Sequence, residues 1–229
     1  MYKRQLLGIA AVCLAGFTFA QDAPLWMRHS VISPDGTTIA FTYKGDIYTV
    51  PVAGGRAMQI TTNPAYDTAP VWSPDSKRIA FASDRMGSLD VYIVAKDGGE
   101  PRRLTTHSGS ETPLAFTDAG HVLFSAGIMP SAEAVVFPSN GQFNQVYRVS
   151  VEGGRPTMIS SMPMECISIN KEGAMLYQDK KGYEDYWRKH HVSPIARDIW
   201  MYTPGKEPQY RQPVSYTHLR AHETTLHLV

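Results

Sequence analysis

Ser33-Pro34-Asp35-Gly36, Ile39-Ala40-Phe41, Asp46-Ile47-Tyr48, Gly54-Gly55 and Ile60-Thr61 follow one another in a single stretch, and the same five elements return in the same order further along the chain. The second copy reads Ser73-Pro74-Asp75-Ser76, Ile79-Ala80-Phe81, Asp90-Val91-Tyr92, Gly98-Gly99 and Leu104-Thr105. A looser third copy has Thr117-Asp118-Ala119-Gly120, Val122-Leu123-Phe124, Gln145-Val146-Tyr147, Gly153-Gly154 and Ile159-Ser160. The fourth has Asn170-Lys171-Glu172-Gly173, Met175-Leu176-Tyr177 and Asp198-Ile199-Trp200, then Gly205. Unit starts are 40, 44 and 53 residues apart, whereas the Asp or Gln to first Gly distance is 8 in the first three units. Constant spacing inside a unit with variable spacing between units means a fixed framework carrying loops of unequal length.

The chemistry within each unit is that of strand and turn. Pro34 fixes φ and Gly36 allows positive φ, so the pair sets a turn, and Gly54-Gly55 does the same later in the unit. Ile39 and Phe41 recur as Ile79 and Phe81, Val122 and Phe124, and Met175 and Tyr177. Apolar residues at i and i+2 lie on one face of a strand. Several short strands in about 40 residues make a propeller blade, a unit that buries its faces only against its neighbours. The fold class expected is therefore all-β, a β-propeller with about four four-stranded blades, near residues 26–70, 71–113, 114–166 and 167–212.

Both ends of the chain read differently from this body. Val214 to Thr224, VSYTHLRAHET, is residue for residue one reading frame of the transposon adaptor used in sequencing libraries, and Met1-Tyr2-Lys3-Arg4-Gln5 matches its reverse complement. By themselves His218, His222 and His227 would suggest a metal-binding tail, but agreement at both ends outweighs that reading. Residues 1–5 and 213–229 are thus expected to be adaptor-derived, and the repeat array to continue in the natural protein beyond Gln212.

Residues 6–20 form a short apolar run, LLGIAAVCLAGFTFA, with small residues before Gln21-Asp22. This is the pattern of a secretory signal peptide, with cleavage expected between Ala20 and Gln21 and no membrane span left after its removal. Of the 2 cysteines, Cys13 lies in that run and Cys166 remains, so no intrachain disulfide is expected and Cys166 reads as a buried, inert thiol. Discounting Lys3 and Arg4 takes the formal net charge from +1 to −1, which offers nothing to nucleic acid.

No Gly-x-Ser-x-Gly elbow and no His-Glu-x-x-His occurs, so no catalytic, cofactor or metal residues are assigned. The Ser-Pro-Asp-Gly element recurs at equivalent positions, which marks it as a turn rather than a catalytic group. Asp46, Asp90 and Asp198 recur likewise and are expected to satisfy backbone donors at strand starts. The least repeat-like stretch is Asp179 to Arg197, DKKGYEDYWRKHHVSPIAR, between the second and third strands of unit four. Adjacent His190 and His191 would point opposite ways on a strand, which argues against a metal site. Tyr183, Trp187, Arg188, His190 and His191 are instead candidates for a peptide-contacting loop on a rigid scaffold, with a packed surface insertion as the alternative.

The repeat resembles the TolB-like and WD-like propeller repeat of exported bacterial proteins, over about Trp26 to Gln212. Asp179-Lys180-Lys181-Gly182-Tyr183-Glu184-Asp185, Trp187-Arg188-Lys189-His190-His191 and Arg197-Asp198-Ile199-Trp200, with Leu25-Trp26-Met27-Arg28 before the first unit, look like the propellers of tricorn-like serine peptidases from Bacteroidetes-type bacteria. That resemblance implies a ring of about six or seven blades, a PDZ-like module and a C-terminal domain with a serine nucleophile. It also implies a propeller that gates or channels peptides, with possible homo-oligomers, in the periplasm or on the outer surface of a Gram-negative cell. No catalytic position of that family has a counterpart here. Two other readings stay open: a TolB-like periplasmic binding scaffold, and the propeller of a prolyl-oligopeptidase-type exopeptidase, which requires a downstream Gly-x-Ser-x-Gly elbow. A sequencing read across the native locus, anchored in the codons of Asp179 to Trp200, is expected to leave VSYTHLRAHET behind and enter further blades; a read that reproduces it and stops overturns the adaptor assignment.

Overall fold

The structure is a computed structural model and describes residues 26–127, 144–170, 172–179 and 198–214. Among these residues all regular structure is strand. The first sheet contains β1 (Arg28–Ile32), β2 (Thr38–Tyr43), β3 (Asp46–Pro51) and β4 (Met58–Gln59). The second holds β5 (Asp67–Trp72), β6 (Arg78–Ser83), β7 (Asp90–Ala95) and β8 (Arg102–Arg103). β9 (Glu111–Asp118), β10 (His121–Ala126), β11 (Gln145–Ser150) and β12 (Thr157–Ser160) form the third. β13 (Met164–Ile169), β14 (Met175–Asp179), β15 (Ile199–Thr203) and β16 (Gln209–Val214) form the fourth. Each sheet pairs its four strands antiparallel and in chain order. The first strands β1, β5, β9 and β13 lie against one another in sequence, so they are innermost and the sheets are blades of a β-propeller.

One pattern holds neighbouring blades together. The residues at i and i+2 of the second strand face the preceding blade, and the residue between them faces the following one. Ile79 and Phe81 thus pack with Ala40 and Ile47 of blade one, together with Tyr92 and Trp72. Val122, Phe124 and Tyr147 pack with Ala80 and Val91 of blade two. Met175 and Tyr177 pack with Leu123 and Val146 of blade three. Paired Phe and Tyr rings stack at 5.8, 6.0 and 5.6 Å in the first three blades, Phe41–Tyr48, Phe81–Tyr92 and Phe124–Tyr147.

The Ser-x-Asp turns between first and second strands are closed by their own side chains. Ser33 Oγ donates to Asp35 Oδ1 at 2.5 Å and accepts from the Thr38 amide at 3.0 Å, while the Thr37 amide donates to Asp35 at 2.9 Å. Ser73, Asp75, Lys77 and Arg78 repeat this at 2.5, 2.9 and 3.1 Å. The serine hydroxyl bond, first of all, holds both carboxyls below the usual carboxylate range. Gly36 has φ 72°, whereas Ser76 takes the same turn position at φ 57°. The strain at Ser76 has a counterpart: its hydroxyl accepts the Asp35 amide at 3.1 Å, tying blade two to blade one.

The second, third and fourth sheets begin at Asp67, Glu111 and Met164. Their first strands carry bulges that break the apolar alternation, between Thr68 and Val71 in β5 and between Glu165 and Ser168 in β13. One expectation needs correction. Cys166 is exposed rather than buried, because it sits in the β13 bulge at φ 52° and is turned away from the core. Phe81→Ala is expected to cost about 3–5 kcal/mol in urea unfolding, since it empties a fully buried ring site between two blades; a loss under about 1 kcal/mol would remove this row from the core.

Candidate functional site

At one end of the propeller lie the starts of the first and third strands of each blade and the ends of the second. In blade two the register aligns Asp67, Ser83 and Asp90 there, all with no solvent exposure. Arg85 binds two of them, donating from Nη2 to both Asp67 oxygens at 3.0 Å and from Nε to Ser83 Oγ at 2.8 Å. Its guanidinium lies 4.6 Å from the Tyr92 ring centroid and 5.6 Å from that of Phe81. Arg103 Nη2 is 2.8 Å from Asp90 Oδ2, an ion pair whose angles fall outside hydrogen-bond geometry.

The acids that open β5 and β9 are pinned to the blade before them. The Asp67 amide donates to the Gly45 carbonyl and the Glu111 amide to the Leu89 carbonyl, each at 2.7 Å. Glu111 is wholly buried, and burial pushes its carboxyl up to about 7, with the Asp90 charge adding to the shift while the Thr105 hydroxyl and Arg103 oppose it. Asp46 is also raised, by burial first and then by Asp67 against hydrogen bonds from Thr61 and Gln59.

Two of the recurrent strand-start acids, Asp46 and Asp90, therefore act differently from the expectation. It is the threonines that satisfy the backbone: Thr61 Oγ1 accepts the Ile47 amide at 3.0 Å and Thr105 Oγ1 the Val91 amide at 2.9 Å. Asp46 takes side-chain donors, Gln59 Nε2 at 3.0 Å and Thr61 Oγ1 at 3.2 Å. Asp90 pairs with Arg103, and the Asp198 amide itself donates to Asp179 Oδ1 at 2.7 Å. Asp67, Arg85, Arg103 and Glu111 were not singled out from the sequence. The signal for two of them was available, because Asp67 follows Thr61, and Glu111 follows Thr105, by the same six residues.

Two connections leave the framework at this polar end, residues 127–144 between β10 and β11 and residues 180–198 between β14 and β15. Tyr183, Trp187, Arg188, His190 and His191 fall in the second and lie outside the described residues, as do Ala20 and Gln21. Arg85 also borders a cleft of about 390 Å³ between blades one and two, with Thr62, Asn63, Pro64, Glu100 and Pro101. Among the described residues no group of three or more His, Cys, Asp or Glu is placed to hold a metal ion, and no helix is long and apolar enough to cross a membrane.

The family model of the tricorn protease N-terminal beta propeller domain matches residues 24–219. The chain belongs to that family. Tricorn protease homolog 1 of Streptomyces coelicolor is 25% identical over 180 residues, which is 78% of this chain but 16% of that protein. The crystal structure of the tricorn protease superposes with a TM-score of 0.60 at 18% identity, over 84% of this chain and 19% of its own. A putative TolB from Agrobacterium tumefaciens gives 0.58 at 23% identity, over 80% of this chain and 63% of its own. This tricorn-family propeller thus spans about a sixth of the Streptomyces relative, and the fold expected from its repeats is the fold observed.

Glu111 supplies a pH test of the polar end of the propeller. Its folded pKa of about 7 lies above the reference 4.5, so the folded state holds an extra proton between these values and stability falls as pH rises from 4.5 to 7. The difference is on the order of 3 kcal/mol. Glu111→Gln is expected to abolish that decline in urea unfolding and to be more stable than the parent at pH 8; parallel pH profiles for the two proteins would sink the assignment.

Proposed function

We propose that this chain is a non-catalytic propeller segment of an exported tricorn-like serine peptidase, and that its polar end binds or gates peptides on their way to a peptidase domain elsewhere in the protein. The observation that carries this reading is the match of residues 24–219 to the tricorn propeller domain. The relative's length agrees with it, since a chain covering 16% of a tricorn homologue leaves room for a separate catalytic unit.

The polar end suits an extended polypeptide for physical reasons. Arg85 is held rigidly by Asp67 and Ser83 and stacked on Tyr92, at the margin of the cleft that also offers Asn63 and Glu100. A fixed cation beside a carboxylate serves the charges and carbonyls of a peptide better than a purely apolar surface would. The sequence between β14 and β15 contains Tyr183, Trp187, Arg188, His190 and His191, and aromatic and Arg side chains are the usual anchors of protein contacts.

A second reading, a TolB-like exported binding scaffold, is favoured by the TolB superposition, which covers more of its partner than the tricorn one does. Both readings expect polypeptide binding, and the native locus separates them: a serine peptidase core supports the first, and a stop after the last blade the second. A Gly-x-Ser-x-Gly elbow downstream would favour the exopeptidase alternative.

Binding is measured by fluorescence anisotropy of labelled unfolded peptides added to the full chain. Trp187→Ala with Arg188→Ala is expected to weaken binding at least about tenfold, and Lys206→Ala, on the β15–β16 connection at the other end of blade four, to leave it unchanged. Equal affinity in the doubly substituted and parent chains would falsify the loop assignment.

A further inference from the structure

The turn between the third and fourth strands keeps its paired glycines in the first three blades but changes the residue ahead of them. Val52-Ala53-Gly54-Gly55, Lys96-Asp97-Gly98-Gly99 and Val151-Glu152-Gly153-Gly154 occupy the same place. In each the first glycine amide donates to the carbonyl three residues back, Gly54 to Pro51 at 2.9 Å, Gly98 to Ala95 at 3.0 Å and Gly153 to Ser150 at 2.8 Å. Of the three, blade two alone puts an aspartate before the pair. An aspartyl carboxyl followed by glycine can close a five-membered succinimide through the glycine nitrogen, and glycine has no Cβ in the way. Alanine offers no carboxyl, and glutamate would need a six-membered ring.

The same dipeptide stands at Asp35-Gly36, and the two copies differ in what holds the carboxyl. Asp35 Oδ1 accepts Ser33 Oγ at 2.5 Å, the Thr37 amide at 2.9 Å and Thr37 Oγ1 at 2.8 Å. The Ser33 bond, first of all, keeps that carboxyl below the usual carboxylate range. Asp97 is exposed, and among the described residues its carboxyl has neither hydrogen bond nor ion pair. The glycine amides are tied alike, since Gly36 donates to the Ser33 carbonyl at 2.8 Å. The state of the carboxyl therefore separates the two turns.

We propose that Asp97-Gly98 is a site of spontaneous aspartyl isomerisation in the joint between blades one and two, and that the Ser33-Asp35 turn protects Asp35-Gly36 from the same reaction. The Gly98 nitrogen loses its proton and bonds to Cγ of the protonated Asp97 carboxyl, which gives up its hydroxyl as water. Hydrolysis of the succinimide adds one water back, and opening at the main-chain carbonyl of Asp97 leaves Gly98 joined through the side chain. Water is the sole co-reactant. The β-linked product lengthens the main chain by one methylene inside a turn that bonds Gly98 to Ala95 and Lys96 to Lys77. A Cβ built on Gly98 would lie 3.6 Å from the Ile60 carbonyl of blade one, so the longer turn presses on that joint. Ile60 and Gly99 also line the cleft at Arg85. The isomerisation is independent of any peptidase or peptide-binding assignment.

The full chain, aged in mildly acidic buffer and cut with trypsin, yields peptides 97–102 and 29–44. Electron-transfer fragmentation distinguishes α- from β-linked aspartate in each, and an isoaspartyl methyltransferase labels the β-linked form. Isoaspartate is expected to accumulate at least about tenfold faster at Asp97 than at Asp35, where a charge-assisted hydrogen bond must first be given up. In urea, with both turns undone, the rates should converge. Ser33→Ala is expected to speed the reaction at Asp35 and leave Asp97 unchanged. Asp97→Glu, which copies blade three, should abolish the modification, and the aged parent should unfold at lower urea than this variant aged alongside it. Absence of isoaspartate at Asp97 overturns the site. Equal accumulation at the two sites in the folded chain, or a gap that persists in urea, overturns the protection by the turn. Coincident urea curves for the aged parent and the aged Asp97→Glu chain overturn the effect on the joint.

Discussion

The packing of one blade's aromatic row onto the next blade's small or branched row is the constraint on which the rest of this molecule depends. A single four-stranded meander has two apolar faces and cannot bury either by itself. Phe81 and Tyr92 need Ala40 and Ile47 beneath them, and Phe124 and Tyr147 need Ala80 and Val91. The small alanine in the receiving row makes room for a ring, so size complementarity between successive blades fixes their order and spacing. Leu123 replaces alanine in blade three, and there the incoming residues are Met175 and Tyr177, a long flexible side chain beside the ring.

That packing also decides where polar chemistry is tolerated. Inside the blade stack there is no room for an unpaired charge, and the buried acids gather at one end, where the first strand enters and the second-to-third connection leaves. Asp67 is balanced by Arg85, and Asp90 by Arg103. Glu111 exceeds the available cations, and the physical result is a carboxyl whose proton is held to about pH 7. The opposite end is built differently, from Ser-x-Asp turns and paired glycines whose polar groups satisfy one another locally. One end is therefore a closed structural hem, while the other combines fixed charge and a cleft with the ends of β10 and β14.

Propellers of this kind serve unrelated purposes, and the shared fold with TolB and tricorn structures does not choose among them. The framework residues discussed above recur from blade to blade and so report on stacking. Residues that break the recurrence carry the individuality of the protein: Arg85, without a counterpart in blade one, and the 180–198 connection, whose composition departs from every other unit.

The sequence by itself determined the strand order, the blade count over the described residues and the family, because turn residues and i, i+2 apolar pairs are local signals repeated often enough to be unambiguous. Ser33 and Ser73, Phe41 and Phe81, and Asp46 and Asp90 could be aligned by eye. It did not determine where each blade begins, since the bulges at Ala69 and Cys166 break the alternation of the innermost strands, nor that Cys166 faces outward. Only the tertiary structure brought Arg85 to Asp67, Arg103 to Asp90, and Glu111 beneath Leu89, because those partners lie on different strands or different blades and their meeting depends on sheet twist and register.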